Sequence, residues 1–335
     1  MNNLDVKRIE NMKVGMFNNK SYFGKRSSEL KSGVCKYFRR GEIEKFEWCI
    51  IEMMILGLRN KGLMTNIINR LKILMFEEIG IGNVVCIEKM IELLNLVDQK
   101  EDWDEKVKIL LEFIDLCTEC RRGRICCYMN CWWNNNSEKY NLGKVVKNKI
   151  KKYQKKGDSE ELLILGELLI EFIENKNEKI IDIYNKMYNL EEKMGTRYRR
   201  KDAVYLFWTV VEDLFNNNQI FMNIIKFARE MFNRKNMHER KYYGIWIGMF
   251  VLNYDKLNWR KDLIYKKREI NLEDYFSKRE NIEMDKYVVQ DFHVNKKYTI
   301  KDFAIHGALV VDEDLSDLKY GKKYKEFYIA KLLEK

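Results

Sequence analysis

Proline is absent from all 335 residues, and histidine occurs only three times. Without proline, helices have to end at glycine, asparagine or another capping residue. Ala, Thr and Gln are scarce while Lys, Asn, Ile, Glu, Met and Trp are abundant. That bias suits a gene poor in cytosine on its coding strand better than a structural requirement. No G-x-x-x-x-G-K-[ST] and no nucleophile elbow occurs, which excludes a P-loop NTPase and an α/β-hydrolase. No run of roughly 18 apolar residues and no N-terminal apolar h-region is present. The expectation is a soluble, intracellular protein, cytoplasmic or nuclear, that is not secreted and has no membrane partner.

What the chain does contain is enough to build a large core: 46 % of residues are hydrophobic and 13 % aromatic, which argues against global disorder. The net charge of +11 favours a polyanionic partner, nucleic acid before an anionic membrane. A genome rich in adenine and thymine inflates lysine generally, which weakens that signal. Eight cysteines without a signal sequence imply mostly reduced thiols.

The chain is organised around residues 28–83. Phe46, Cys49, Ile50, Met53, Met54, Gly57 and Leu58 follow a helical period, and Leu63, Ile67, Leu71, Leu74 and Met75 repeat it after a break at Asn60–Gly62. An ordinary αα-hairpin would read the same way. The polar residues set it apart. Ser28 and Lys31 or Lys36 precede Arg39-Arg40-Gly41. Trp48 follows, then Arg70-Leu71, then Glu77-Glu78-Ile79-Gly80.

This arrangement resembles the helical C-terminal domain of the replication-associated recombination AAA+ ATPases, relatives of the clamp loaders and of the Werner-helicase-interacting protein. The likeness spans about a sixth of the chain, and the ATPase half is missing. It implies a role in DNA replication, repair or recombination, self-association through the helical domain, and a stand-alone version of the kind expected in large DNA viruses.

Further along, Ile87, Met90, Ile91, Leu94 and Val97 predict one amphipathic helix, and Val107, Leu110, Leu111, Ile114 and Cys117 another. Cys117, Cys120, Cys127 and Cys131 offer four thiolates for structural zinc, but their spacing is too tight for a ribbon or knuckle, so small buried thiols are the stronger reading. No metal and no cofactor is therefore expected. Arg121, Arg122 and Arg124 precede Trp132 and Trp133, a pattern that suits phosphate contact and base stacking, although a solvated helix face before two core tryptophans is the stronger reading.

Residues 144–156 hold seven lysines and no acid. They read as a linker or as a helix with a cationic face, with Lys147, Lys149, Lys151, Lys152 and Lys155 as phosphate contacts. Asp158 and Glu161 predict a capping box for the next helix. Arg199, Arg200 and Lys201 stand before the apolar run 203–215. Helices are expected over 178–190, 220–232 and 242–252, and a closing one near 324–333. Tyr287-Val288-Val289 and Gly307–Val311 read as short β runs. Asp291, His293 and His306 between them are a weak acid–base or metal candidate.

The predicted fold is mainly α, a helical bundle or array with a small C-terminal β element. The predicted division is a polar arm (1–27), a clamp-loader-like helical domain (28–143), a basic linker or helix (144–157) and a second helical domain (158–335). The predicted function is non-catalytic nucleic-acid binding through backbone phosphates, with candidate contacts at Lys36, Arg39, Arg40 and Arg70 and in the three basic strips above. The alternative is a helical scaffold, for instance a virion or assembly component, whose charge is incidental.

Overall fold

The computed structural model describes residues 6–15, 19–193, 203–234, 240–259, 265–290, 294, 297–299 and 318–334. Among these the fold is helical throughout, with an isolated bridge between Lys20 and Arg26 and no strand. No helix in the described residues is long and apolar enough to cross a membrane.

The chain forms two compact units. The first comprises Met1–Arg124, Arg260–Asp314 and Ile329–Lys335, and the second Ile125–Trp259 and Leu315–Tyr328. The division falls after Arg124 rather than within 144–157. Ile150 is fully buried, and its backbone N–H, like that of Lys149, donates to the Glu167 carboxylate, so the basic segment is built into the second unit.

In the first unit, α1 (Val6–Glu10), α2 (Ser27–Arg40), α3 (Ile43–Arg59), α4 (Lys61–Leu74), α5 (Val84–Gln99) and α6 (Trp103–Glu119) follow in order. α2 packs on α3, α3 on α4 and on α6, and α5 on α6. With proline absent, asparagines start several helices. Asn60 accepts from the Gly62 N–H, and Asn83 from the N–H groups of Val85 and Cys86. α2 ends at Gly41, whose φ of 72° lets its N–H and that of Glu42 bond back to Phe38 and Tyr37. α4 runs on into a π-helical turn, Met75–Ile79, closed by the Gly80 N–H on the Met75 carbonyl at 2.9 Å.

The lead-in is docked rather than loose. Ile9 and Met12 are buried, and the Phe23 N–H donates to Glu52 at 3.0 Å. Residues 265–290, charged and irregular in sequence, form a strap carrying α13 (Leu272–Ser277) and α14 (Lys286–Val289). Buried acids on the helices hold it. Arg268 pairs with Glu47 at 2.8 Å and with Asp115 at 2.5 Å, Arg279 pairs with Glu52 at 3.0 Å, and Trp48 donates to the Glu280 carbonyl. The expected β run at Tyr287–Val289 is the helix α14: Val288 and Val289 bond back to Asp285, and Val288 is buried. The β run at Gly307–Val311 lies outside the described residues.

The second unit contains α7 (Ile125–Asn135), α8 (Glu160–Glu174), α9 (Ile180–Lys193), α10 (Tyr205–Leu214), α11 (Gln219–Asn233), α12 (Arg240–Asn253) and, through Tyr328, α15 (Gly321–Leu333). α12 is apolar around its circumference and sits centrally, packed on α7, α9 and α11. α8 starts one residue later than the predicted capping box. Ser159 caps it through the Leu162 N–H, while Asp158 accepts from the Lys155 N–H and the Tyr205 hydroxyl.

Candidate nucleic-acid interface

The site lies in the first unit, where α2, α4, the π turn and the loop 120–124 meet. On α4 the stripe Leu63, Ile67, Leu71, Leu74, Met75 continues at the same spacing to Glu78, so a carboxylate occupies a core position. It is fully buried, and buried charge persists only with partners. Arg39, at the C-terminal end of α2, supplies them. Its Nη2 lies 2.5 Å and its Nε 2.7 Å from the two carboxylate oxygens. Arg124 Nε stands 3.7 Å away, and the Glu78 carbonyl accepts the Gly123 N–H at 2.7 Å. The loop is fastened further by Arg122, which donates to the Phe38 carbonyl at 3.4 Å and fills the space that a Cβ on Gly41 would need.

Beside this pair opens a cleft of about 450 Å³, lined by Ser28, Lys31, Cys35 and Lys36 of α2, by Asn66, Asn69 and Arg70 of α4, and by Arg39, Glu77 and Arg124. Arg70 is 28 % exposed and stands 3.9 Å from Glu77. Its Nε is buried without a hydrogen-bond partner among the described residues. Lys36 donates to the Tyr287 carbonyl at 2.8 Å, and the Arg40 guanidinium lies 3.9 Å from the centre of the Tyr287 ring.

Five cations thus line the cleft with one carboxylate, Glu77, while Glu78 is buried beside it. Burial raises the Glu78 carboxyl, but Arg39 and Arg124 outweigh it and hold it below its ordinary range. Burial wins at Glu77 and pushes that carboxyl up against the pull of Arg70. Lys31 is lowered by burial and by Arg70. The charge lining the cleft is positive in excess. Cys35, Glu77 and Glu78 place potential ligand atoms within 4.8 Å of one another. Three guanidinium groups beside them repel a cation, and burial keeps the Cys35 thiol protonated, so the grouping is a poor metal site.

Two of the four sequence-predicted strips therefore meet: Lys36, Arg39, Arg40 and Arg70 with Arg121, Arg122 and Arg124. Arg39 and Arg124 are turned inward, and their first role is to neutralise Glu78. The strip 144–156 lies in the second unit as irregular chain with a 3₁₀ turn at Ile150–Lys152 rather than a helix. Lys147 pairs with Glu160, Lys149 with Glu174 and Lys152 with Asp213, while Lys155 covers the Tyr205 ring. Lys151 is exposed. Arg199, Arg200 and Lys201 lie outside the described residues, as do Asp291, His293 and His306. The four zinc candidates divide between the units, Cys117 and Cys120 in the first, Cys127 and Cys131 on α7 of the second. Trp133 is a core residue, and Trp132 packs against Tyr324 and Phe327.

Lys31 lines the cleft although it is not among the candidate contacts read from the sequence. The signal was there in its spacing: Ser28, Lys31 and Cys35 share one face of α2 at i, i+3 and i+7. Comparison with protein-family models, with curated proteins and with solved structures finds no match for this chain.

Proposed function

We propose that this protein is a non-catalytic nucleic-acid-binding protein, DNA being its first partner, which engages backbone phosphates at the basic cleft of its first unit. One observation carries the reading: Lys31, Lys36 and Arg39 of α2, with Arg70 and Arg124 from distant parts of the sequence, line one cleft that holds a cationic excess. Phosphate contacts of this kind give affinity with little sequence selectivity and a steep dependence on salt. The resemblance of residues 28–83 to the helical domain of recombination-associated AAA+ ATPases supports a place in replication, repair or recombination. It also supports self-association, which sedimentation at several protein concentrations measures.

The test is retention of a labelled duplex and of a single strand in a gel at low salt, with release as salt rises. Absence of retention at about 50 mM salt, where phosphate contacts are strongest, overturns the reading. The scaffold alternative is favoured by a different observation: three of the seven lysines of 144–156, Lys147, Lys149 and Lys152, are matched by Glu160, Glu174 and Asp213. Salt-insensitive assembly with no nucleic-acid retention would establish it.

A further inference from the structure

We infer that the α14 turn of the strap is an autoinhibitory contact within the first unit: it occupies Lys36 and Arg40, and a nucleic-acid strand has to lift it off to reach them. The inference rests on the nucleic-acid reading above and adds how access to that surface is controlled.

Three observations carry it. The first is what the turn covers. Ser32, Lys36 and Arg40 stand at i, i+4 and i+8 and so share one face of α2, and α14 packs on that helix. Ser32 donates to the Val288 carbonyl at 3.0 Å and Lys36 to the Tyr287 carbonyl at 2.8 Å, while the Arg40 guanidinium lies 3.9 Å from the centre of the Tyr287 ring. Lys36 is left 4 % exposed, too little for a phosphate to meet it while the turn is docked. The second is the kind of contact. The carbonyl oxygens on Ser32 and Lys36 take the place that phosphate oxygens would fill, and the ring over Arg40 that of an unstacked base. The third is the uneven hold along the strap. Residues 268–279 are fixed by Arg268 and Arg279 to the buried acids Glu47, Glu52 and Asp115, pairs that are costly to break from one side. The ion pair at α14, Lys45 with Asp285 at 2.7 Å, has both side chains 34 % exposed, and exposed pairs contribute little. Tyr287 is half-buried with its hydroxyl donating to Glu42, and Val288 is the buried side chain of the turn. The turn can therefore leave α2 while the earlier part of the strap stays in place.

Hydrogen exchange of the full chain, with and without a saturating single-stranded oligonucleotide at about 50 mM salt, tests this without any substitution. The Val289 and Gln290 amides, which bond back to Asp285 and Lys286, should exchange faster in the bound protein, while those of α13 keep their rate. Slower or unchanged exchange in α14 overturns the inference. In fluorescence anisotropy, Val288→Asp places a charge where the turn is anchored and should bind the oligonucleotide about tenfold more tightly or better, because an undocked state populated to about a tenth or less in the parent becomes the main one. The slope of log affinity against log salt should steepen by about 1–2 as Lys36 and Arg40 join the contacts. Tyr287→Ala should act in the same direction by a smaller amount, and it carries the test if Val288→Asp does not fold. Lys36→Gln added to either variant should remove part of the gain, which a merely loosened fold would not do. Affinity and slope no higher than the parent's in the folded variants make α14 a plain brace and overturn the inference, while the parent's own retention keeps the nucleic-acid reading. No retention by the parent or by either variant overturns both.

Discussion

Arg39 and Glu78 form a two-point ion pair inside the first unit, with contacts of 2.5 and 2.7 Å and side chains 6 % and 0 % exposed. One belongs to the Arg-Arg-Gly turn that ends α2, the other to the Glu-Glu-Ile-Gly turn that ends α4. The two polar motifs that set residues 28–83 apart from an ordinary helical hairpin are therefore partners in space. Together they close one end of the helix pair and pin the loop that carries Arg121, Arg122 and Arg124.

Breaking the pair from one side should be severe. Glu78→Gln leaves the Arg39 and Arg124 guanidiniums buried without a carboxylate, and a loss of about 3–5 kcal/mol in urea unfolding is expected. Replacing both partners, Arg39→Met with Glu78→Leu, should recover part of that loss, because the Arg39 desolvation cost goes with the pair and only Arg124 is left without the carboxylate. A double variant as unstable as Glu78→Gln would show that the stranded Arg39 charge is not the source of the loss.

The pH dependence has a definite sign. Glu78 titrates below its unfolded value of about 4.3, so its contribution is complete above that value and is lost as pH falls through the folded one. Glu77 is raised, so it acts in the opposite sense, and its ionisation costs stability as pH climbs through the folded value. Urea midpoints of Glu78→Gln should lack part of the parent's loss on the acid side, and those of Glu77→Gln should lack the decline above about pH 4.3. Profiles parallel to the parent's in both variants would sink this account.

Much of the helical frame was legible because the apolar stripes of α3 to α6 keep the helical period without interruption. The convergence of Arg39, Arg70 and Arg124 was only partly legible. Each reads as a surface cation, and only Glu78 at a core position of the α4 stripe says that a cation must come inward to meet it. The segment 144–156 misled for the opposite reason. It contains no acid of its own, and its carboxylates, Glu160, Glu174 and Asp213, come from later positions brought near by folding. The valines of α14 suggested a strand because β propensity measures fit to a half-buried surface, which the strap offers to a short helix equally well.

The basic strips should differ in their effect on nucleic-acid retention. Lys31→Gln with Arg70→Gln removes two cations of the cleft and should lower the slope of log affinity against log salt by about 2. Lys147→Gln, Lys149→Gln and Lys152→Gln together remove lysines already matched by carboxylates, and the slope should change by less than about 1. A larger loss from the second set would move the interface to the second unit.

The strap over the first unit depends on Arg279, which is 6 % exposed and bonded to the fully buried Glu52. Arg279→Ala strands that carboxylate, although the Phe23 N–H still donates to it. A loss of about 3 kcal/mol is expected. Because Arg279 also stacks near Phe23 and Trp48, the strap should loosen locally, and limited proteolysis should cut within 265–290 before the rest of the chain. Cleavage at the parental rate would mean that Arg268, with the Tyr275 hydroxyl donating to Glu47 at 2.8 Å, holds the strap without it.

In the second unit, Gly244 of α12 sets two opposed effects against each other. Alanine is the better helix former by about 1 kcal/mol, which taken alone makes Gly244→Ala stabilising. A Cβ there would lie 2.0 Å from the ring of Tyr184, which is fully buried, packs against Phe207, and is fixed by its hydroxyl donating to the Lys241 carbonyl at 2.9 Å. The ring cannot swing aside without breaking that bond or opening the core. Overpacking of this kind costs about 1–3 kcal/mol or more and should win, so Gly244→Ala is expected to lower the thermal midpoint. Gly244→Ala combined with Tyr184→Leu, which removes the obstructing ring, should be less destabilised than the sum of the two single changes. Strict additivity would show that the ring and the glycine do not depend on each other.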